Sequence, residues 1–189
     1  MKAYKALKAA IMEMDIYSHN EEIRLEERQL SEKLGVSRTP IREAMTLLEQ
    51  EGFVRSVPRR GIFVVRKTRQ EILEMITVWA ALESMAARLA CARATDAEIR
   101  QLRENVRAFA DRDPEEFVSE YSEANLAFHK LIIRMSGCDL IAEMTENLFP
   151  HMRGVRNVTI GQDHRAQRSI VDHNRIVAAI EKRDPDLAE

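Results

Sequence analysis

Two groups of residues have types and spacings that could do chemistry. The first is Arg38, Thr39 and Arg42, three polar side chains around the start of one helical pattern, with Ser37 just before them. A cation at a helix start opposes the helix dipole and needs a partner outside the helix. Guanidinium groups there can reach base edges and phosphates if that end enters a major groove. The second is Asn125 and His129, four residues apart and so on one helix face, with His173 in a later helical pattern. Two imidazoles and an amide oxygen form an N/O set that suits a transition metal if two helices bring them together. The same residues suit a hydrogen-bonded pair of core histidines, and spacing does not choose between the two.

The elements that must position the first group lie within residues 26–65. A helical pattern from Glu26 to Leu34 ends at Gly35, and Val36 fills the turn. A second helix opens with Thr39 as N-cap and Pro40 at its first position and stops at Gly52. Two helices joined by a tight turn bearing glycine form a helix-turn-helix. The strand patterns 53–57 and 62–65 flank Pro58-Arg59-Arg60-Gly61 and predict a β-hairpin with a basic tip. Gly61 would let the backbone come close to DNA. Tyr4, Leu7, Ile11 and Met14 recur at helical spacing, and with Ile23, Leu25, Leu30, Leu34, Ile41, Met45 and Leu48 they complete a small core.

Charge agrees with this placement. Residues 1–68 hold 13 Lys/Arg against 10 Asp/Glu, and the remaining residues hold 16 against 21, so a net of −2 conceals a basic first third. Residues 53–69 carry six cations and no acid, an electrostatic footprint for phosphate when it adjoins such a motif. Duplex DNA is the implied partner.

Beyond residue 69 the sequence predicts helix after helix and no second strand-rich segment. Ile72, Met75, Ile76, Trp79, Leu82, Met85, Ala86 and Leu89 form one apolar stripe. Thr95-Asp96-Ala97-Glu98 is a capping box. Further helices are predicted from Asp113 to Gly137, from Asp139 to Arg156 with Pro150 kinking or ending it, and from Asp163 to Lys182. The fold class is mainly α: a winged helix-turn-helix over 1–68 and an antiparallel helical bundle over 69–189, with possible sites between facing helices. No unbroken apolar run approaches the roughly 18 residues of a membrane span. The start reads as an amphipathic helix rather than a signal peptide, and Cys91 and Cys138 stand alone in helical patterns. A reducing cytoplasm is the expected location.

The residues also carry a resemblance. Val36-Ser37-Arg38-Thr39-Pro40-Ile41-Arg42-Glu43-Ala44-Met45, Leu48-Glu49-Gln50-Glu51-Gly52-Phe53-Val54 and Pro58-Arg59-Arg60-Gly61-Ile62-Phe63-Val64 resemble, in this order, the motifs of the GntR family of bacterial transcription regulators. The resemblance implies operator contacts from Arg28, Ser37, Arg38, Thr39, Arg42 and Gly61, with Arg59 and Arg60 on the basic wing. Asn125-Leu126-Ala127-Phe128-His129-Lys130-Leu131, Ser136-Gly137-Cys138 and His173 through Ile180 are similar to the metal-binding FCD effector domain of the FadR-type branch. That implies a divalent transition metal of the zinc, nickel or manganese class on Asn125, His129 and His173. The family's fourth ligand is a histidine about one helix further on. The sequence ends at Asp184-Pro185-Asp186-Leu187-Ala188-Glu189, where that helix would begin, as expected of a chain whose last helix is missing. Trp79 stands where many relatives carry arginine.

Around the second group, Arg165, Ser169 and His173 share a helical face, and Arg153, Arg156, His151 and His164 precede them. Cations beside a metal suit a small carboxylate, so Arg153, Arg165 and Ser169 are the expected effector contacts. His151 and His164 read as solvent-facing or loop residues. The expected molecule is a dimeric, metabolite-responsive regulator of operator DNA with an all-helical effector-binding and dimerisation domain, a repressor in most of the family it resembles, with no catalytic residues and no membrane. Two other readings stand beside it: a metal-dependent enzyme attached to a DNA-binding domain, and a bundle that serves dimerisation alone.

Overall fold

The computed structural model describes residues 2–17, 21–108, 118–160, 162 and 164–189. The winged unit begins with α1 (Lys2–Glu13), whose Ala3, Leu7 and Ile11 are buried. A short strand β1 (Arg24–Leu25) precedes α2 (Glu27–Leu34) and α3 (Arg38–Gln50). Gly35 ends α2 in the left-handed region at φ 63°, and the Val36 amide donates to the Ser31 carbonyl, so the chain reverses within three residues. On α3, Ile41, Ala44, Met45 and Leu48 recur at three and four residues and are buried. They join Leu7, Ile11, Ile16, Leu25, Phe53, Val54 and Val64 in one core.

The N-terminus of α3 departs from expectation. Ser37 is the N-cap, in extended conformation, and its side chain makes no capping hydrogen bond. Thr39 and Pro40 are therefore the second and third residues of the helix. Proline is tolerated there because first-turn amides have no acceptor within the helix. The shift of two residues puts Arg38 and Thr39 on the opening turn.

The hairpin β2 (Val54–Val57) and β3 (Gly61–Val64) forms as predicted, with Val57 opposite Gly61. A third strand was not expected: β1 pairs antiparallel with β3, giving the order β1-β3-β2. Two residues are too few to show an alternating pattern.

The helical domain runs α4 (Arg69–Arg93), α5 (Asp96–Arg107), α6 (Val118–Met135), α7 (Asp139–Glu146), α8 (Phe149–Thr159), α9 (Arg165–Glu181) and α10 (Pro185–Ala188). Thr68 and Thr95 each form a capping box, with Glu71 and Glu98 respectively. The expected Asp139–Arg156 helix is two helices, because the chain breaks at Asn147–Leu148 and Pro150 sits in the first turn of the second. The starts expected at Asp113 and Asp163 lie outside the described residues; α9 begins at Arg165 after His164. Where the next helix was expected to begin, the chain makes the single turn α10, packed on α4 and α9.

A core of Trp79, Ala86, Ala90, Leu102, Phe128, Ile132, Val177 and Ile180 holds the domain together. By length and average composition α4 passes for a membrane span, although no unbroken apolar run is that long. It packs on α6, α9 and α10, while Leu73, Ile76, Val78 and Met85 stay exposed.

Candidate nucleic-acid interface and candidate metal centre

Arg28, Ser37, Arg38, Thr39, Arg42, Arg59 and Arg60 are all exposed, and α3 presents its unburied face at its opening turn. Several of these cations have acidic partners. Arg42 Nε donates to Glu27 Oε2 at 2.8 Å, and Arg28 lies 3.7 Å from Glu32 one turn on. Arg60 donates to Glu22 Oε2 at 3.3 Å, and Arg55 pairs with the other oxygen of the same carboxylate. Exposed pairs of this kind contribute little and exchange readily for phosphate.

At the hairpin tip Arg59 takes φ 64°, so a side chain other than glycine turns this corner. Gly61 has φ 114°, and a Cβ there would sit 2.9 Å from Arg24 Nε. The nearest neighbour to that missing side chain is Arg24 on β1, and the positive φ by itself favours glycine at this corner. Charge-neutral variants of Arg59 and Arg60 should weaken binding across all duplex sequences and flatten its salt dependence by up to about one unit each, checked by anisotropy titrations across salt concentrations.

The second group does assemble. His129 from α6 and His173 from α9 meet with ring centroids 5.1 Å apart, edge to face. Asn125 lies one turn before His129; its Nδ2 donates to Ser169 Oγ at 2.9 Å, and Ser169 Oγ lies 3.4 Å from His173 Nε2. Phe128 stacks on the His173 ring at 3.9 Å. Burial, with His129 and Arg156 nearby, pushes His173 down to about 2, so its imidazole is neutral.

Two residues that the sequence did not assign complete the cluster. Glu83 on α4 holds His129 Nδ1, and its second oxygen accepts from Trp79 Nε1 at 2.7 Å. Burial would raise the Glu83 carboxyl, but its pairing with His129, the Trp79 hydrogen bond and the Arg156 charge together hold it below the usual range. A carboxylate fixing one ring nitrogen leaves the other to face a ligand, the arrangement found behind metal-bound histidines. Arg156 on α8 donates to His129 Nε2 at 3.2 Å, and burial lowers its guanidinium to about 10. The sequence signal for Glu83 was its position one turn after Trp79 on the apolar stripe.

The donors suit a metal in one specific respect. Asn125 Oδ1 is buried and has no hydrogen-bond partner among the described residues, as a carbonyl oxygen awaiting a cation would be. Among the described residues no three His, Cys, Asp or Glu side chains gather around one point, so the set is two imidazoles and an amide. The cavity bordered by Asn125, His173, Tyr121 and Asn105 measures about 10 Å³, room for an ion or one water but not for an organic acid.

Two of the three expected effector contacts bond to groups other than the histidines. Arg153 donates to the Met12 carbonyl at 3.2 Å and pairs with Glu123 at 2.8 Å, which ties α8 to α1. Arg165 is exposed and donates to Thr159 Oγ1 at 3.0 Å. Ser169 does join the cluster, through Asn125. Arg156 is the arginine that reaches the histidines, with Nη1 buried and unpartnered among the described residues. His151, expected near solvent, is buried and bonded to Tyr17 OH at 2.8 Å, because α1 and its tail pack over α8. His164 is exposed before α9, as expected.

Comparison with known proteins decides the family. Residues 2–64 match the model of the bacterial regulatory proteins, gntR family, and residues 74–189 match the FCD domain. The chain belongs to the GntR family, in its FCD branch. This GntR regulator is 29% identical over 170 residues to the HTH-type transcriptional regulator YdhC of Bacillus subtilis (strain 168), covering 88% of the chain and 75% of that protein. It is 27% identical over 165 residues to the HTH-type transcriptional repressor RspR of Escherichia coli (strain K12), covering 87% and 72%. Its fold is that of E. coli McbR/YncC, with a TM-score of 0.77 at 22% identity over 99% of this chain and 88% of the other. A putative transcriptional regulator GntR from Rhodococcus sp. RHA1 aligns with a TM-score of 0.73 at 20% identity, over 99% and 88%. The molecule is a DNA-binding transcription regulator and not an enzyme.

Proposed function

We propose that this regulator is a dimeric repressor, working in the cytoplasm, that leaves its operator when a small carboxylate binds beside a metal in the helical domain. The observation that carries the effector site is the pairing of two unsatisfied buried groups: Asn125 Oδ1, which lacks a donor, and Arg156 Nη1, which lacks an acceptor, both among the described residues. A divalent transition metal on Asn125, His129 and His173 would satisfy the first and supply a Lewis-acidic anchor for a carboxylate. Arg156 would take the second role by charge-assisted hydrogen bonding. The small cavity requires Arg156 and its neighbours to give way for the acid to enter. Similarity to RspR, named a repressor, supports the direction of regulation.

Elemental analysis of protein purified without chelator tests the metal. About one equivalent of a transition metal is expected in the wild type and none in the His129→Ala/His173→Ala variant, with DNA binding retained because the winged unit has its own core. Metal-free wild-type protein would refute the site. A thermal-shift screen of small organic acids tests the effector: a shift that Arg156→Met abolishes supports the anchor, and a shift unaffected by Arg156→Met refutes it.

The dimer rests on α4, where Leu73, Ile76 and Ala80 recur at three and four residues on an exposed face, flanked by Val78 and Met85. A single winged unit reads few base pairs, and two would span half-sites about 34 Å apart. Sedimentation at micromolar concentration is expected to show a dimer for the wild type and a monomer for Leu73→Glu/Ile76→Glu. A monomeric wild type would remove this part of the proposal.

A further inference from the structure

We propose that α8 couples the buried histidine cluster to the winged unit, with Tyr17 seated on Gly154 as the latch between them. Glycine is unfavourable in a helix interior, so Gly154 needs a reason. The reason is steric. A Cβ at Gly154 would lie 2.5 Å from Tyr17 Cδ2 and 3.1 Å from Cε2, so the aromatic ring rests on the bare backbone of α8.

The hydroxyl of Tyr17 has two further partners. It accepts from the Lys67 amide at 3.3 Å and meets His151 Nδ1 at 2.8 Å. With His151 neutral and its proton on Nε2, the hydroxyl donates to Nδ1. The Arg66 guanidinium lies 5.7 Å from the ring centroid. Lys67 immediately precedes Thr68, the N-cap of α4, and so belongs to the stretch of chain that joins the two domains. Tyr17 therefore pins that stretch to α8. Arg153, next to Gly154, adds the contact to the Met12 carbonyl at the end of α1.

The same helix also touches the cluster. Arg156 is two residues beyond Gly154, about 3 Å along the axis, and it donates to His129 Nε2 at 3.2 Å. A helix turn is stiff over that distance. A change at the cluster that carries Arg156 away together with its backbone, and not by a rotamer change alone, shifts α8, and the Tyr17 seat moves with it. The structure thus supplies a continuous chain of contacts: His129, Arg156, Gly154, Tyr17, Lys67. This goes beyond the repressor reading and needs neither operator nor metal for its test, so the failure of one is distinguishable from the failure of the other.

The test is hydrogen exchange at the Lys67 amide, followed by NMR on the full chain without DNA. Tyr17→Phe keeps the ring on Gly154 and removes both hydrogen bonds. It should speed Lys67 exchange by about tenfold or more while core amides of α3 such as that of Leu48 stay protected. Arg156→Met should speed the same amide several-fold although Arg156 does not touch it. Val158→Ala, at an exposed position on α8, should leave it unchanged. Gly154→Ala should act like Tyr17→Phe, and if that variant does not fold, Tyr17→Phe decides. A Lys67 rate equal to wild type in Arg156→Met overturns the coupling, and a rate equal to wild type in Tyr17→Phe overturns the latch.

Discussion

Replacing both Arg38 and Arg42 with alanine is expected to reduce operator affinity to the level of non-specific binding. Each guanidinium that makes a bidentate base contact is worth about 1–3 kcal/mol, roughly 5- to 150-fold. The two share the exposed face of α3, Arg38 on its first turn and Arg42 on the next. Arg38 should give the larger single effect. Arg42 is bonded to Glu27 at 2.8 Å in the free protein, so its gain on DNA is offset by the loss of that pair. Fluorescence anisotropy on operator DNA measures the loss, and circular dichroism checks that Ile41, Ala44 and Met45 still hold the helix in its core. Full operator affinity in the double variant would mean that α3 does not enter the groove by this end.

Acidification should destabilise the chain through His151 by about 3 kcal/mol between pH 6.5 and 4. Burial, and then the positive charge of Lys67, depress this imidazole to about 4, while Glu71 opposes them weakly. Tyr17 faces it, with the Arg66 guanidinium 5.7 Å from that ring's centroid. The sign follows from the depressed value. Below pH 6.5 the unfolded chain takes up a proton that the folded chain refuses until about 4, so unfolding is favoured as pH falls. The stability is fully present above pH 6.5. Urea unfolding at a series of pH values should show the loss in the wild type and a flatter profile in His151→Asn. Parallel profiles for the two proteins would assign the acid sensitivity to other groups.

The sequence determined the elements whose signals are local. Gly35, Gly52 and the apolar spacing of Ile41, Met45 and Leu48 set out the helix-turn-helix, because a tight turn and a buried stripe each need particular residues at fixed offsets. The basic hairpin was legible for the same reason. Asn125 and His129 are one helix turn apart, so their shared face followed from spacing alone. Other features depend on what packs against what. The two-residue strand β1 exists only because β3 offers it an edge, and that pairing is what brings the Arg24 side chain against Gly61. Thr39 read as a good cap, but the geometry of the turn after Gly35 gave that place to Ser37.

The arginines of the helical domain show the limit most plainly. The sequence favoured Arg153 and Arg165 over Arg156 as effector contacts. Packing separated them, since α1 lies against α8 and takes Arg153, Arg165 stays exposed beside Thr159, and Arg156 reaches His129 on α6. Glu83 and His151 were hidden for the same reason: their partners lie 46 and 134 residues away along the chain. Helix periodicity fixes the face on which a side chain stands, but only the docking of one helix against another fixes what that face meets.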